Sequence, residues 1–354
     1  MSDFPAHPDA VTGEWLGGML GARVASIRWE AIGTGQVGDS VRFHIEYAAG
    51  EGPATLAGKF AAADPTCRAT AAMFGLYRKE VAFYRHAAPL LDVRVPQVRF
   101  TDASDDGAAF ILLFEDLGPA RGGDQIAGCT PADARAAIVQ AAAFHAPSWG
   151  RPDVLDAGWI RPPDDLRERI GAMYPQAHAV FRERYAATLE PELMAVCDAL
   201  ADNAALWFAR ADPPQCLIHG DFRLDNMLFD IRGGAEPIAV LDWQTVATGR
   251  AMTDVGYFLG CGIGPALRAA HEDELLELYF AEMERRGVRL PRDEAWGDYR
   301  LGALHGVSTA VFSAAFVQRT PRGDANFLSM ARGACSLALA HDSIGALKGE
   351  SRWS

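Results

Sequence analysis

The sequence predicts an α+β chain in two lobes: a small N-terminal lobe with an antiparallel sheet and one key helix, and a larger C-terminal lobe that is mostly helical. Strand-like runs fill the chain up to about Phe114. Helix-like periodicity dominates from Thr130 onward. The 354 residues are enough for two lobes of ordinary size. The expected boundary puts residues 1–117 in the first lobe and 118–354 in the second.

The first element of interest is Gly33-Thr34-Gly35-Gln36-Val37-Gly38, a G-x-G-x-x-G. A dinucleotide-binding turn of this kind opens a helix. Here Val41-Arg42-Phe43-His44-Ile45-Glu46-Tyr47 alternates apolar and polar residues, so a strand follows instead. Gly33, Gly35 and Gly38 carry no Cβ, so backbone amides at such a turn can close over phosphates. Leu56-Ala57-Gly58-Lys59-Phe60 is a second strand, with Leu56, Gly58 and Phe60 on one face and Lys59 on the other.

The segment from about Thr70 to Arg85 reads as a helix. Met73, Leu76, Tyr77, Glu80 and Tyr84 fall on one stripe of it. A carboxylate on an inward face is costly unless paired. Glu80 is the natural partner of Lys59, ahead of Glu46 or Glu51. Phe110-Ile111-Leu112-Leu113-Phe114 is a continuous buried strand, ended by Glu115-Asp116-Leu117-Gly118.

In the second lobe Thr130-Pro131-Ala132-Asp133 combines an N-cap, a proline at N1 and an acid at N3. That helix is expected to run to about Phe144-His145. Met194, Cys197, Ala201, Ala204 and Phe208 mark another amphipathic helix, and His271 to Arg286 an acidic one. Ala303 to Val317 reads as a buried helix, too short for a membrane span.

Between these helices lies His219-Gly220-Asp221-Phe222-Arg223-Leu224-Asp225-Asn226, with Leu217-Ile218 entering and Met227-Leu228-Phe229 leaving. Ile231-Arg232-Gly233-Gly234 reads as a turn and Ile238-Ala239-Val240-Leu241 as a buried strand that ends at Asp242-Trp243-Gln244. Asp221 can accept or orient a hydroxyl proton. Asn226 and Asp242 are hard oxygen donors of the kind Mg²⁺ takes. Together these are the parts of a phosphoryl-transfer site.

The loop matches H-x-D-x-x-x-x-N position by position and so resembles the catalytic loop of the kinase superfamily. Gly220 after the histidine makes it similar to the aminoglycoside phosphotransferase and choline kinase-like branch. The runs Glu80-Val81-Ala82-Phe83-Tyr84 and Phe114-Glu115-Asp116-Leu117 resemble the ecdysteroid-kinase-like and acyl-CoA-dehydrogenase-associated phosphotransferases. The resemblance covers roughly residues 10 to 320. It implies a protein-kinase-like fold and an ATP- and Mg²⁺-dependent enzyme that moves the γ-phosphate to a hydroxyl.

By the same resemblance Asp221 is the catalytic base, and Asn226 and Asp242 hold Mg²⁺. The glycine turn at Gly33, Gly35 and Gly38 covers the phosphates, and Lys59, held by Glu80, places them. Adenine meets backbone groups around the hinge from Glu115 to Leu117. Arg223 either faces the transferred phosphate or pairs with a nearby carboxylate. His219 and Asp225 hold the loop, Asp254 braces it, and His145 is structural. Ser40 departs from the valine that protein kinases prefer, and Asp242-Trp243-Gln244 stands where they have D-F-G.

Only eleven residues separate Asp242 from Asp254, which leaves no room for a peptide-docking segment. A small hydroxylated molecule is therefore the expected acceptor, and a protein substrate is not. An aminoglycoside 3'-type kinase is one alternative. A nucleotide-binding, pseudokinase-like module without transfer is the other. The net charge of −13 argues against nucleic acid as a partner. Six scattered cysteines without a C-x-x-C suggest free thiols in a reducing cytoplasm. No signal peptide and no membrane partner are expected from the N-terminus or the hydropathy.

Overall fold

The computed structural model describes residues 4–33, 38–163, 165–317 and 319–349. Gly35 of the glycine turn lies outside the described residues. The chain separates into two compact units. Met1–Leu90, Arg94–Ala120 and Asp230–Thr245 form the first; Leu91–Val93, Arg121–Phe229 and Val246–Ser354 form the second.

The first unit holds a five-stranded antiparallel sheet of β1 (Arg23–Ala31), β2 (Gly38–Ala49), β3 (Thr55–Ala61), β4 (Val98–Ala103) and β5 (Phe110–Glu115), in the order β1-β2-β3-β5-β4. The period-two pattern decides what each face meets. Val41, Phe43, Ile45, Leu56, Phe60, Ile111 and Leu113 form one buried cluster with Leu16 of helix α1 (Gly13–Leu20). The alternate residues of β5 face other partners: Phe110 stacks on Tyr77 at 4.3 Å, and Phe114 meets Tyr84 at 4.9 Å. Both faces of β5 are covered, which is why its sequence is apolar without alternation.

The helix expected from about Thr70 to Arg85 is broken. Helix α2 spans Pro65–Met73 and α3 spans Leu76–Ala82, with Gly75 between them at φ +65°. Glycine adopts this left-handed conformation without steric cost, so the chain can restart in a new direction. The stripe survives only beyond the break. Tyr77, Glu80 and Tyr84 are buried, but Met73 is 76% exposed.

In the second unit Thr130 caps helix α4 (Pro131–Ser148) through a reciprocal bond with Asp133. The helix runs on past the expected end and accommodates Pro147 in its last turn. The single helix read from Met194 to Phe208 is two, Pro191–Asp202 and Ala204–Phe208, interrupted at Asn203. The apolar stretch from Ala303 belongs to a longer helix, Arg292–Phe316. Among the described residues no helix is long and apolar enough to cross a membrane.

The loop from His219 to Asn226 is bracketed by two short pairings. Cys216–Ile218 pairs antiparallel with Ala247–Gly249, and Leu228 and Phe229 pair with Gly122 and Arg121. The helix Met252–Tyr257 packs on Arg292–Phe316 at a glycine contact. A Cβ on Gly302 would stand 2.3 Å from the Met252 carbonyl oxygen, so only glycine permits that approach.

Candidate active site

In the first unit, strand alternation turns Lys59 towards α3. Its ammonium lies 2.9 and 2.8 Å from the two carboxylate oxygens of Glu80 and 2.8 Å from Oδ1 of Asp242. Glu80 is 1% exposed. Burial alone would lower the lysine pKa, but the charges of Asp242 and Glu80 outweigh it and raise it. Burial raises Glu80, and so does the charge of Asp242, while Lys59 pulls it down. One cation thus serves two carboxyl groups.

Asp242 itself sits at φ +61°, in the left-handed region. Trp243, next to it, is fully buried and stacks on Phe83 at 4.0 Å and 6°. Gly33, at φ +77°, and Gly38, at the start of β2, flank the undescribed part of the glycine turn.

At the expected hinge, the Glu115 carboxylate is occupied. Arg94 Nη1 donates to it at 2.7 Å, the Gln97 amide at 2.9 Å, and Arg232 binds its other oxygen. Burial raises its pKa and these cations more than reverse that. The Glu115 amide donates to the Gln97 carbonyl at 2.9 Å, and the Leu117 carbonyl accepts from the Arg232 amide at 2.9 Å. Asp116 is held by Arg42 at 2.6 Å.

In the second unit, the catalytic-loop candidates lie within hydrogen-bond reach of one another. Asp221 accepts from the Arg223 guanidinium at 3.0 and 3.2 Å, from the Tyr257 hydroxyl at 2.7 Å and from Asn226 Nδ2 at 2.8 Å. Burial works to raise its pKa, but the charge of Arg223 and the Tyr257 and Asn226 bonds hold it below the usual carboxylate range. Arg223 also donates to Asp225 at 2.6 Å, so it is paired with two carboxylates. Asp225 in turn accepts from the Gln125 amide at 2.9 Å.

The loop is fastened from below by Asp254, which is fully buried. Its carboxylate accepts the amides of His219 at 2.6 Å and Gly220 at 2.9 Å, and His145 Nε2 lies 3.2 Å away. His145 Nδ1 meets the Tyr279 hydroxyl at 2.8 Å. His219 Nδ1 accepts from the Asp221 amide at 3.2 Å. His305 Nε2 donates to the Gly220 carbonyl at 2.8 Å.

Residues 68–289, more than half of the chain, match the profile of the phosphotransferase enzyme family. The chain belongs to that family. Among curated proteins this phosphotransferase is similar to acyl-CoA dehydrogenase family member 11. The chicken (Gallus gallus) protein is 42% identical over 60 residues, 16% of this chain and 8% of the relative. The rat (Rattus norvegicus) protein is 30% identical over 129 residues, 32% of this chain and 16% of the relative. The chain therefore spans only a small fraction of these relatives' length.

Among solved structures, the phosphotransferase resembles a spectinomycin phosphotransferase in complex with ADP and spectinomycin. The TM-score is 0.55 and the identity 12%, covering 94% of this chain and 97% of the other. A microcompartment-associated aminopropanol kinase gives a TM-score of 0.50 at 17% identity, covering 91% and 94%. These likenesses establish the fold. The α+β, protein-kinase-like fold expected from the sequence is the fold of this phosphotransferase.

The donor set also bears on Mg²⁺. Asn226 spends its amide hydrogens on Asp221, at 2.8 Å to the backbone oxygen and 2.8 Å to Oδ2, so the atom it has to offer is its carbonyl oxygen. Asp242 gives Oδ1 to Lys59 and keeps a second carboxylate oxygen. Each residue thus has a hard oxygen of the kind Mg²⁺ takes.

Two residues of the phosphotransferase that bear on Asp221 were not singled out for it by the motifs. Tyr257 lies three residues after Asp254, on the same side of one helical turn, and that spacing was its only signal. His305 is a lone polar ring in an apolar helical run, and only tertiary packing reveals its target.

Proposed function

We propose that the enzyme moves the γ-phosphate of ATP, with Mg²⁺, onto the hydroxyl of a small molecule. The observation that carries this reading is the state of Asp221. It is a half-buried carboxylate kept ionised by Arg223, Tyr257 and Asn226, which suits it to orient an alcohol. The alcohol oxygen forms a bond to the γ-phosphorus as the bond to the β-phosphate oxygen breaks. ADP leaves, and the hydroxyl proton passes to Asp221. A carboxylate stabilised this strongly is a weak base, which fits a transfer whose catalysis is mainly positioning and charge neutralisation.

Lys59 would hold the nucleotide phosphates, exchanging part of its contact with Asp242 for them while Glu80 keeps it in place. Asn226 and Asp242 would bind Mg²⁺, which neutralises charge on the phosphates when bound. Gly33, Gly35 and Gly38 would cover the phosphates with backbone amides. At the hinge, backbone groups from Glu115 to Leu117 other than the engaged Glu115 amide and Leu117 carbonyl would read the base edge. Arg223, already paired to Asp221 and Asp225, acts in this reading through the loop as well as on the phosphate.

A small acceptor is supported by the short interval from Asp242 to Asp254. It holds a single helical turn, Trp243–Thr245, and the strand Ala247–Gly249. The six free cysteines suit a reducing compartment such as the cytoplasm. The test is ADP formation from ATP and Mg²⁺ over a panel of hydroxylated metabolites and aminoglycosides. At least one acceptor should stimulate ADP release and gain phosphate, and Asp221→Ala should abolish it. Tight ATP binding with no acceptor-dependent ADP across the panel would instead make the chain a nucleotide-binding module without transfer.

A further inference from the structure

We propose that the acceptor alcohol carries an uncharged apolar chain, laid along the aromatic face of the Arg292–Phe316 helix. This rests on the phosphotransfer reading above and specifies its substrate class. His305, Thr309, Phe312 and Phe316 fall at i, i+4, i+7 and i+11, one face of that helix, and all keep access to solvent. Val307, Ala310, Val311 and Ala314, on the opposite side, are buried.

One end of this face is fixed to the catalytic loop. His305 donates to the Gly220 carbonyl at 2.8 Å, and its ring meets the edge of Tyr257 at 5.3 Å. The Tyr257 hydroxyl lies 2.7 Å from Asp221. The other end is aromatic. Phe312 packs against Tyr174 at 5.2 Å and Phe208 at 5.9 Å, and Phe316 stacks on Phe312 at 5.9 Å. Phe316 is 52% exposed. At the helical rise, Phe312 and Phe316 stand about 10 and 16 Å along the axis from His305.

The chemistry of the face selects its occupant. It carries no carboxylate, so a polycationic sugar would lose hydration there without gaining counter-charges. An alkyl or aryl chain would instead cover exposed aromatic carbon while its hydroxyl reaches Asp221. Continuity with the loop that holds Asp221 is what distinguishes this face from an isolated exposed phenylalanine, which would need no explanation.

The test uses the full chain with straight-chain alcohols from ethanol to hexadecanol, and with kanamycin. Binding is measured by calorimetry and turnover by ADP release. Affinity and kcat/KM should each rise about two- to fourfold per added methylene until the chain passes Phe316. Phe316→Ser should flatten the rise and cost hexadecanol about tenfold. Chain-length-dependent binding without any ADP release would sink the phosphotransfer reading but keep the apolar site. Phosphorylation of kanamycin together with a flat alcohol series would do the reverse. Size-exclusion chromatography closes the remaining route: a dimer that Phe316→Ser dissociates, with alcohol affinity unchanged, would assign the face to a second copy and overturn the proposal.

Discussion

The two polar clusters of this enzyme are built on opposite plans. Around Lys59, one cation holds two carboxylates, and the ammonium bond to Asp242 could be exchanged for a phosphate oxygen without disturbing a backbone. Around Asp221, the carboxylate is bound by Arg223, Tyr257 and Asn226 at once, and the backbone itself is held by the buried Asp254. The first is a charge arrangement that a ligand can rewrite. The second is preorganised, so in the proposed reading an acceptor would meet a carboxylate already fixed in place. In the proposed reading the first cluster would meet a polyanion that binds and leaves, and the second would orient the acceptor.

The comparison breaks first at Asp221. Asp221→Asn keeps the shape but removes the charge, and transfer should fall about a thousandfold while nucleotide affinity changes little. Calorimetric titration with ATP alongside ADP-release kinetics separates the two. A variant still within tenfold of the parent enzyme would refute the assigned role.

Lys59→Met should behave differently because it strips two carboxylates of their cation. Leaving buried charge unpaired costs about 3 kcal/mol. Both the melting temperature and nucleotide affinity should therefore drop, and unchanged thermal stability would show that Glu80 and Asp242 do not depend on the lysine.

Tyr257→Phe sharpens the transfer side. It removes one hydrogen bond to a charged group, so kcat should fall about tenfold with KM for ATP unaltered. Equal losses in both constants would point to a general packing defect instead.

A smaller effect concerns pH. Burial raises the Asp254 pKa, but His145 and the loop amides reverse this and hold it below the usual value. Its contribution to stability is then present above the ordinary aspartate pKa, near 3.9, and is lost as pH falls through the lower folded value. Asp254→Asn should be less stable than the parent at neutral pH, and the two denaturation curves should converge in acid. A gap that persists at low pH would mean that Asp254 acts through shape alone.

Much of this was legible in the sequence because it is local. Alternation in β2 and β3 gave the strands and put Lys59 on the face opposite Leu56 and Phe60. An i+3, i+4 stripe gave Glu80, and the catalytic loop is one unbroken motif. What escaped depends on distance along the chain or on backbone geometry. The break at Gly75 needs a left-handed residue that periodicity does not see, and it is why Met73 is exposed. Tyr257 reaches Asp221 across 36 positions and His305 reaches Gly220 across 85. The Glu115 carboxylate is occupied by Arg94 and Arg232, which no pattern around the hinge announces. The division of Met194 to Phe208 at Asn203 was likewise hidden, since an amphipathic pattern can continue through a kink.

Asp242 carries a consequence for anyone who selects this enzyme for robustness. A non-glycine residue at φ +61° costs about 1 kcal/mol, and its charge also repels Glu80. Asparagine tolerates that backbone better and is neutral, so Asp242→Asn should raise the melting temperature by a few degrees while losing phosphate transfer. A library sorted on heat resistance alone would then fill with inactive clones at this codon, and the natural aspartate would persist only under a screen that counts turnover.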